Sequence, residues 1–215
     1  VTVHTTVPTA GTVGEARQDN GVAEEVNRGG LEILIAGAHL GHIEPGADAV
    51  ATTLYQSALE RDINVSNWFV YAFGSPALDR WHVRSSEIST AAYPGLATVA
   101  EDRYGFVISV HGHSEGHVSV GGTPGIEVRE HFAERLEQAL PNEPDVRYLR
   151  DKDETDGKTA THSGKTNQNF VNWLRTGKRG GIQLELTPEY REHPEAVRDG
   201  CFQAMDDLDL VESEW

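Results

Sequence analysis

Residues 31–60 read LEILIAGAHLGHIEPGADAVATTLYQSALE. The stretch opens with a near-continuous apolar run, 31–39, of strand length and ending in small residues. Such a run suits a strand covered on both faces of an α/β sheet. From Asp48 to Glu60 apolar residues recur at helical spacing, with Asp48 placed as an N-cap. Between the two lie His39, His42 and Glu44, set among Gly41, Pro45 and Gly46. A strand, a tight polar loop and a helix in succession form the repeating unit of an α/β fold. The polar loop falls where such folds carry their sites, beyond the carboxyl end of a strand.

The same alternation continues along the chain. SNWFVYAF (66–73) is aromatic and β-branched, a strand; 89–103 contains a helix beginning near Pro94. YGFVISVHGHSEG (104–116) is a second buried strand running into a Gly/His-rich loop. IEVREHFAERLEQAL (126–140) is amphipathic, with Phe132, Leu136 and Leu140 on one stripe, and VRYL (146–149) is a short strand. Residues 150–168 are polar and long enough for a functional loop. NFVNWLRTG (169–177) reads as a short helix closed by Gly177. GGIQLELT (180–187) is a third buried strand, and 188–208 is mostly helix, starting at Pro188. Residues 1–30, rich in Thr, Gly and acids, read as an N-terminal arm or linker: an extended arm or a strand, followed by a linker. Residues 31–215 read as one domain with a mixed, largely parallel central sheet flanked by helices.

Hydrophobic residues make up 38% of the 215, enough for one domain with a real core. No segment approaches the ~20 apolar residues of a membrane span, and the N-terminus lacks the basic and apolar regions of a signal peptide. The formal charge is −16, and the lysines are few: Lys152, Lys158, Lys165 and Lys178. Such a surface repels nucleic acid. It also repels itself unless salt screens it, so adaptation to high salt is expected, with an ordinary acidic protein as the alternative. The lone cysteine, Cys201, cannot form an internal disulfide and reads as a core residue beside Phe202 and Met205.

Three strand ends carry the chemistry. The first offers His39, His42 and Glu44; the second His111, His113 and His117; the third Glu185 within GIQLELT. Two histidines and one glutamate, with a fourth position open, form a ligand set for catalytic zinc. His39 and Glu44 share one short loop, and His111 would close the site from a distant strand. Glu185 could then act as general base. Each piece alone is also consistent with structural histidines at strand ends or with a solvated loop.

Three blocks raise the specificity: IAGAHLGHIEPGADAVA, VISVHGHSEGHVSVGG and NQNFVNWLRTGKRGGIQLELTPEYR. Together, across about residues 31–191, they resemble the poly-γ-glutamate hydrolases, zinc-dependent and often phage-encoded, with a carboxypeptidase A-like fold. The resemblance implies His39, Glu44 and His111 as zinc ligands and Glu185 as general base and acid. It also implies a polyanionic, peptide-like substrate, with Arg191 matching an arginine of the family pattern. Arg84, Lys165 and Asn169 are further candidates for carboxylate recognition, although each is equally a surface residue. His42 and His113 depart from the family pattern, and His82 could orient substrate or simply pack. The expected activity is hydrolysis of γ-linked polyglutamate at an extracellular or virion-associated location. The alternatives are a zinc carboxypeptidase or amidase acting elsewhere, and a virion or cell-surface binding protein that keeps the fold and has a virion assembly partner.

Overall fold

Every residue of Ile33–Gly41 is buried, which happens only to a strand with a layer of structure on each side. A computed structural model of the chain describes residues 11–150, 164–176 and 180–211. In chain order the elements are α1 (Val13–Asp19), β1 (Val22–Asn27), β2 (Ile33–Gly41), α2 (Ala47–Glu60), β3 (Val65–Ala72), α3 (Ala77–Trp81), α4 (Pro94–Ala100), β4 (Phe106–Gly112), β5 (Val118–Gly122), α5 (Ile126–Ala139), β6 (Val146–Tyr148), α6 (Phe170–Trp173), β7 (Gly181–Leu186), α7 (Pro188–Arg191) and α8 (Pro194–Asp207). The strands form one mixed sheet in the order β1-β3-β2-β4-β7-β5-β6. Its centre, β3-β2-β4-β7, is parallel, while β1 and β5 run antiparallel to β3 and β7. Among the described residues no helix is long and apolar enough to cross a membrane.

Alternate residues of the buried strands serve opposite layers. Ile33, Ile35, Phe106, Ile108 and Leu184 meet α2, α5 and α8 through Leu54, Phe132, Leu136, Phe202 and Met205. Leu34, Ala36, Trp68, Val70 and Val107 meet α4 and α6 through Leu96, Val99, Phe170 and Val171. Cys201 is fully buried in the first layer, as its neighbours in sequence suggest.

Several expectations are corrected. Residues 13–27, within the stretch read as an extended arm or strand plus linker, contain a strand, β1, which pairs along its whole length with β3, and before it a helix, α1, that the reading did not include. Glu24 makes that edge specific: its carboxylate accepts from Trp68 Nε1 (2.7 Å) and from the first amides of α4, Gly95 and Leu96 (both 3.0 Å). Helix α2 is capped not by Asp48 but by Gly46, whose φ of 91° places it in the left-handed region. The helix expected over 188–208 breaks into α7 and α8 at Pro194, as a proline without a backbone donor dictates. The strand β5 was not apparent in its sequence, VSVGG, which is short and ends in glycine. Gly177 and most of the 150–168 loop lie outside the described residues.

The topology fixes where a site can form. From β2 the chain leaves through α2 to β3 on one side, whereas β4 flanks β2 on the other. The helices α2 and α4 lie on opposite faces. The carboxyl ends of β2 and β4 therefore border a topological switch point, where open α/β sheets hold their ligands. The pairing of β2 with β4 ends at Ala36 and Ser109, yet both strands run on, to Gly41 and Gly112. That separation opens the crevice.

Candidate metal centre

His39 lies on β2 within a register shift between Gly37 and Leu40 in the β2–β3 ladder. Bulges of this kind re-aim side chains at the rims of sheets. The turn that follows is closed by Glu44 N–H donating to His39 O (3.0 Å) and Ala47 N–H donating to Glu44 O (3.0 Å). The short spacing between His39 and Glu44 thus becomes a rigid loop, and the Glu44 carboxylate folds back onto the histidine. His111 comes from β4, opposite Glu185 of β7 in strand register.

The three side chains converge. His39 Nδ1 is 3.0 Å from Glu44 Oε1 and 3.0 Å from His111 Nδ1. All three ligand atoms lie within 4.8 Å of one another, and all three residues are buried. The proton positions follow from the outer partners. His39 Nε2 is 2.7 Å from the Val83 carbonyl, which can only accept, so Nε2 carries a proton. Nδ1 is then the ring nitrogen left for a metal, and it faces His111 Nδ1 and the Glu44 carboxylate. His111 Nε2 meets Ser85 Oγ at 3.4 Å, leaving its Nδ1 toward the same point. Two imidazole nitrogens and a carboxylate converging in a buried place fit a divalent cation, with outer hydrogen bonds orienting the side chains.

Glu44 is held at both oxygens, Oε2 accepting the Gly112 amide at 2.7 Å. Burial opposes its charge, but the His39 and His111 imidazoles and the Gly112 amide outweigh that and keep its pKa below the ordinary glutamate value. Glu185 goes the other way. Burial first, and then the Glu44 carboxylate, push its pKa well above the ordinary value, against the hydrogen bond from Gln183 Nε2 to Oε1 (2.7 Å). Two carboxyl groups in one cavity with pKa values driven apart are suited to different tasks, one to remain an anion and one to take up and release a proton.

The cavity around these groups has a volume of about 380 Å³ and is lined on one side by His82, Arg84, Ser85 and Ser86, on another by Gly164, Thr166, Asn169 and Gln183. It thus gathers most of the residues expected from sequence: His39, Glu44, His111, Glu185, Arg84 and Asn169. Arg84 is exposed at the mouth, and Lys165 is exposed between two lining residues. Arg191 is the exception. It is buried beside the Glu44 loop, donating from Nη1 to Pro45 O at 2.6 Å, and its guanidinium covers Gly112 so closely that a Cβ there would sit 2.6 Å from Nη1. It is not among the residues lining the cavity.

The remaining histidines separate. His82 stands beside the centre, its ring 4.3 Å from that of His39 and its Nε2 3.8 Å from Glu44 Oε1. Burial, and then His39, lower its pKa. His113 lines the cavity with its ring 5.5 Å from that of His117. His42 lies outside it, accepting the Gly74 amide at 3.2 Å and packing edge-on against Phe73. Sequence reasoning missed Gln183 and Ser85. The position of Gln183, two residues before Glu185 on a strand, was the available signal, because alternate strand residues share a face.

Comparison with known proteins gives a family and a fold. A profile of the family described as poly-gamma-glutamate hydrolase matches residues 14–195. No curated protein sequence matches the chain. A bacteriophage poly-gamma-glutamate hydrolase superposes with a TM-score of 0.64 at 15% identity, over 87% of this chain and 89% of that one. A zinc-free form of YndL superposes with a TM-score of 0.64 at 18% identity, over 87% of this chain and 90% of that one. At such identities these structures speak for the fold, whereas the profile spans most of the sequence, including every residue of the candidate centre. This chain belongs to the poly-gamma-glutamate hydrolase family.

Proposed function

We propose that the protein hydrolyses the amide bonds of γ-linked polyglutamate, with zinc held by His39, Glu44 and His111 and with Glu185 as general base and acid. The observation that carries this reading is the meeting of three ligand atoms, within 4.8 Å of one another, in the cavity that also holds Glu185. A divalent metal there supplies a Lewis acid for the carbonyl oxygen and lowers the pKa of water.

The protein's own residues account for the rest. His39 and His111 are fixed by Val83 and Ser85, and Glu44 by the Gly112 amide. Glu185 takes a proton from the attacking water as the water oxygen bonds to the γ-carbonyl carbon. It returns that proton to the amide nitrogen as the C–N bond breaks, giving a carboxylic acid and an amine. Arg84 and Lys165, at the cavity mouth, bind the free α-carboxylates of the polymer. Such a substrate suits an extracellular or virion-borne enzyme.

The test is elemental analysis of the purified protein, followed by product analysis on γ-linked and α-linked polyglutamate. About one zinc per chain and release of γ-linked oligomers are expected. Glu185→Gln should keep the metal and lower turnover by about 10²–10⁴-fold. A protein that takes up no metal when zinc is supplied refutes the reading. Cleavage of the α-linked polymer alone makes it a peptidase of another specificity.

A further inference from the structure

Two residues ahead of Glu185, Gln183 shares its face of β7, and the direction of its amide is set by a chain of contacts that begins at the backbone. Val171 N–H can only donate, so the Asn169 atom that meets it at 3.1 Å is Oδ1, and Nδ2 points the other way. Asn169 Nδ2 reaches Gln183 at 2.6 Å, which makes the atom it meets Oε1. Gln183 Nε2 therefore faces Glu185 Oε1 at 2.7 Å and donates to it. Asn169, Gln183 and Glu185 are only 4%, 5% and 6% exposed, so solvent offers little substitute for any of these bonds. The loop leading into Asn169 is pinned as well. Asn172 Nδ2 donates to Gly164 O (2.6 Å) and Thr166 O (2.8 Å), and Thr123 Oγ1 donates to Asn172 Oδ1 (2.7 Å).

We propose that Gln183, oriented by Asn169, is a positioning residue that holds Glu185 ready to accept a proton. The inference rests on Glu185 being the general base. An N–H aimed at Oε1 engages that oxygen and fixes the plane of the carboxyl group, leaving Oε2 for proton transfer. The reverse orientation would set a carbonyl oxygen against Oε1, and two acceptors repel, so the carboxyl group would lose its fixed place. Asn169 acts through Gln183 and is not a ligand of the substrate: Oδ1 caps α6 and Nδ2 is committed to Gln183.

Asn169→Asp separates this role from a structural one. Aspartate is as good a helix cap as asparagine, so Val171 keeps its partner. It has no donor for Gln183 Oε1, so Gln183 must turn over, donate to residue 169 and present Oε1 to Glu185. The expected result is a fall in kcat of about tenfold to hundredfold, the effect of losing one hydrogen bond to a charged group, with KM and zinc content unchanged. Gln183→Glu should behave alike. The side-chain amide resonance of Gln183, assigned by its disappearance in Gln183→Glu and followed by NMR in metal-free protein, should move in Asn169→Asp. An unmoved resonance overturns the proposed orientation, and a moved resonance with wild-type kcat overturns the positioning role. A moved resonance in a protein whose wild type cleaves no polyglutamate leaves the hydrogen-bond chain standing and refutes the proposed function instead.

Discussion

Replacing Arg191 with methionine decides between two roles for one residue. Its place in the sequence suggests a cation for a polyanionic substrate, whereas its place in the fold is beneath the metal loop, donating to Pro45 O and covering Gly112. Pro45 follows Glu44, and Gly112 supplies the amide that holds Glu44 Oε2. Methionine keeps most of the side-chain volume but leaves the Pro45 carbonyl without its donor. A hydrogen bond to a charged group is worth about 1.5–3 kcal/mol. At about 1.4 kcal/mol per factor of ten, the closed position of the loop would be disfavoured by about 10- to 150-fold. If the zinc ligands meet only when the loop is closed, zinc affinity falls by up to that factor. For a chain of this size the same loss lowers Tm by about 3–12 °C. Competition with a chromophoric chelator measures the affinity, and calorimetry measures Tm in zinc and in EDTA. Weaker zinc binding and a smaller gain in Tm on adding zinc are expected, with KM nearly unchanged in zinc-saturated protein. Zinc affinity within twofold of wild type together with a raised KM for polyglutamate would refute the brace and return Arg191 to the substrate.

A protein of charge −16 acting on a polyanion should work faster as salt rises. The Debye length shrinks from about 10 Å at 0.1 M to about 3 Å at 1 M, so kcat/KM on long polymer should increase more than on a γ-linked dipeptide; equal salt responses would count against long-range repulsion. Cys201 is fully buried, and burial pushes its thiol pKa up to about 12. The reactive thiolate is therefore negligible near neutral pH, and native protein should resist iodoacetamide at pH 8 until it is unfolded. Labelling that appears on dialysis into low salt would report self-repulsion opening the fold, whereas rapid labelling in every buffer would contradict the burial of Cys201.

How far the sequence could be read depended on whether the deciding interaction was local. The central strands announced themselves because a strand with two covered faces must be apolar at nearly every position, as in Ile33–Gly41 and Gly181–Leu186. His39, His111 and Glu185 stood out as candidates because each sits at or near the end of such a run, and Glu44 because it follows His39 in the same short loop; the fold brings all four to one cavity. β1 could be read only as an arm or strand without bounds, because VAEEVN is stabilised by its partner: Glu24 looks like a surface acid until Trp68 and the start of α4 close around it. The contact of Arg191 was equally hidden, since its partner, Pro45, lies 146 residues away in the chain. Gln183 was overlooked for the opposite reason. It lies in plain view beside Glu185, but its meaning depends on which way an amide faces, and that is decided by Asn169 on another element.

The early parting of β2 and β4, with pairing that stops at Ala36 and Ser109, divides the labour between two kinds of heredity. His39, His111 and Glu185 hang from the sheet, and Glu44 from the turn directly after β2, so their spacing follows the ladder of backbone bonds and withstands drift in almost every other side chain. The cavity walls, residues 82–86 and 164–169, hang from connections that tolerate change in length and composition. Those walls can therefore be remodelled while the centre is inherited whole, provided that the Val83 carbonyl, which touches His39, and the Asn169 amide, which touches Gln183, stay in place.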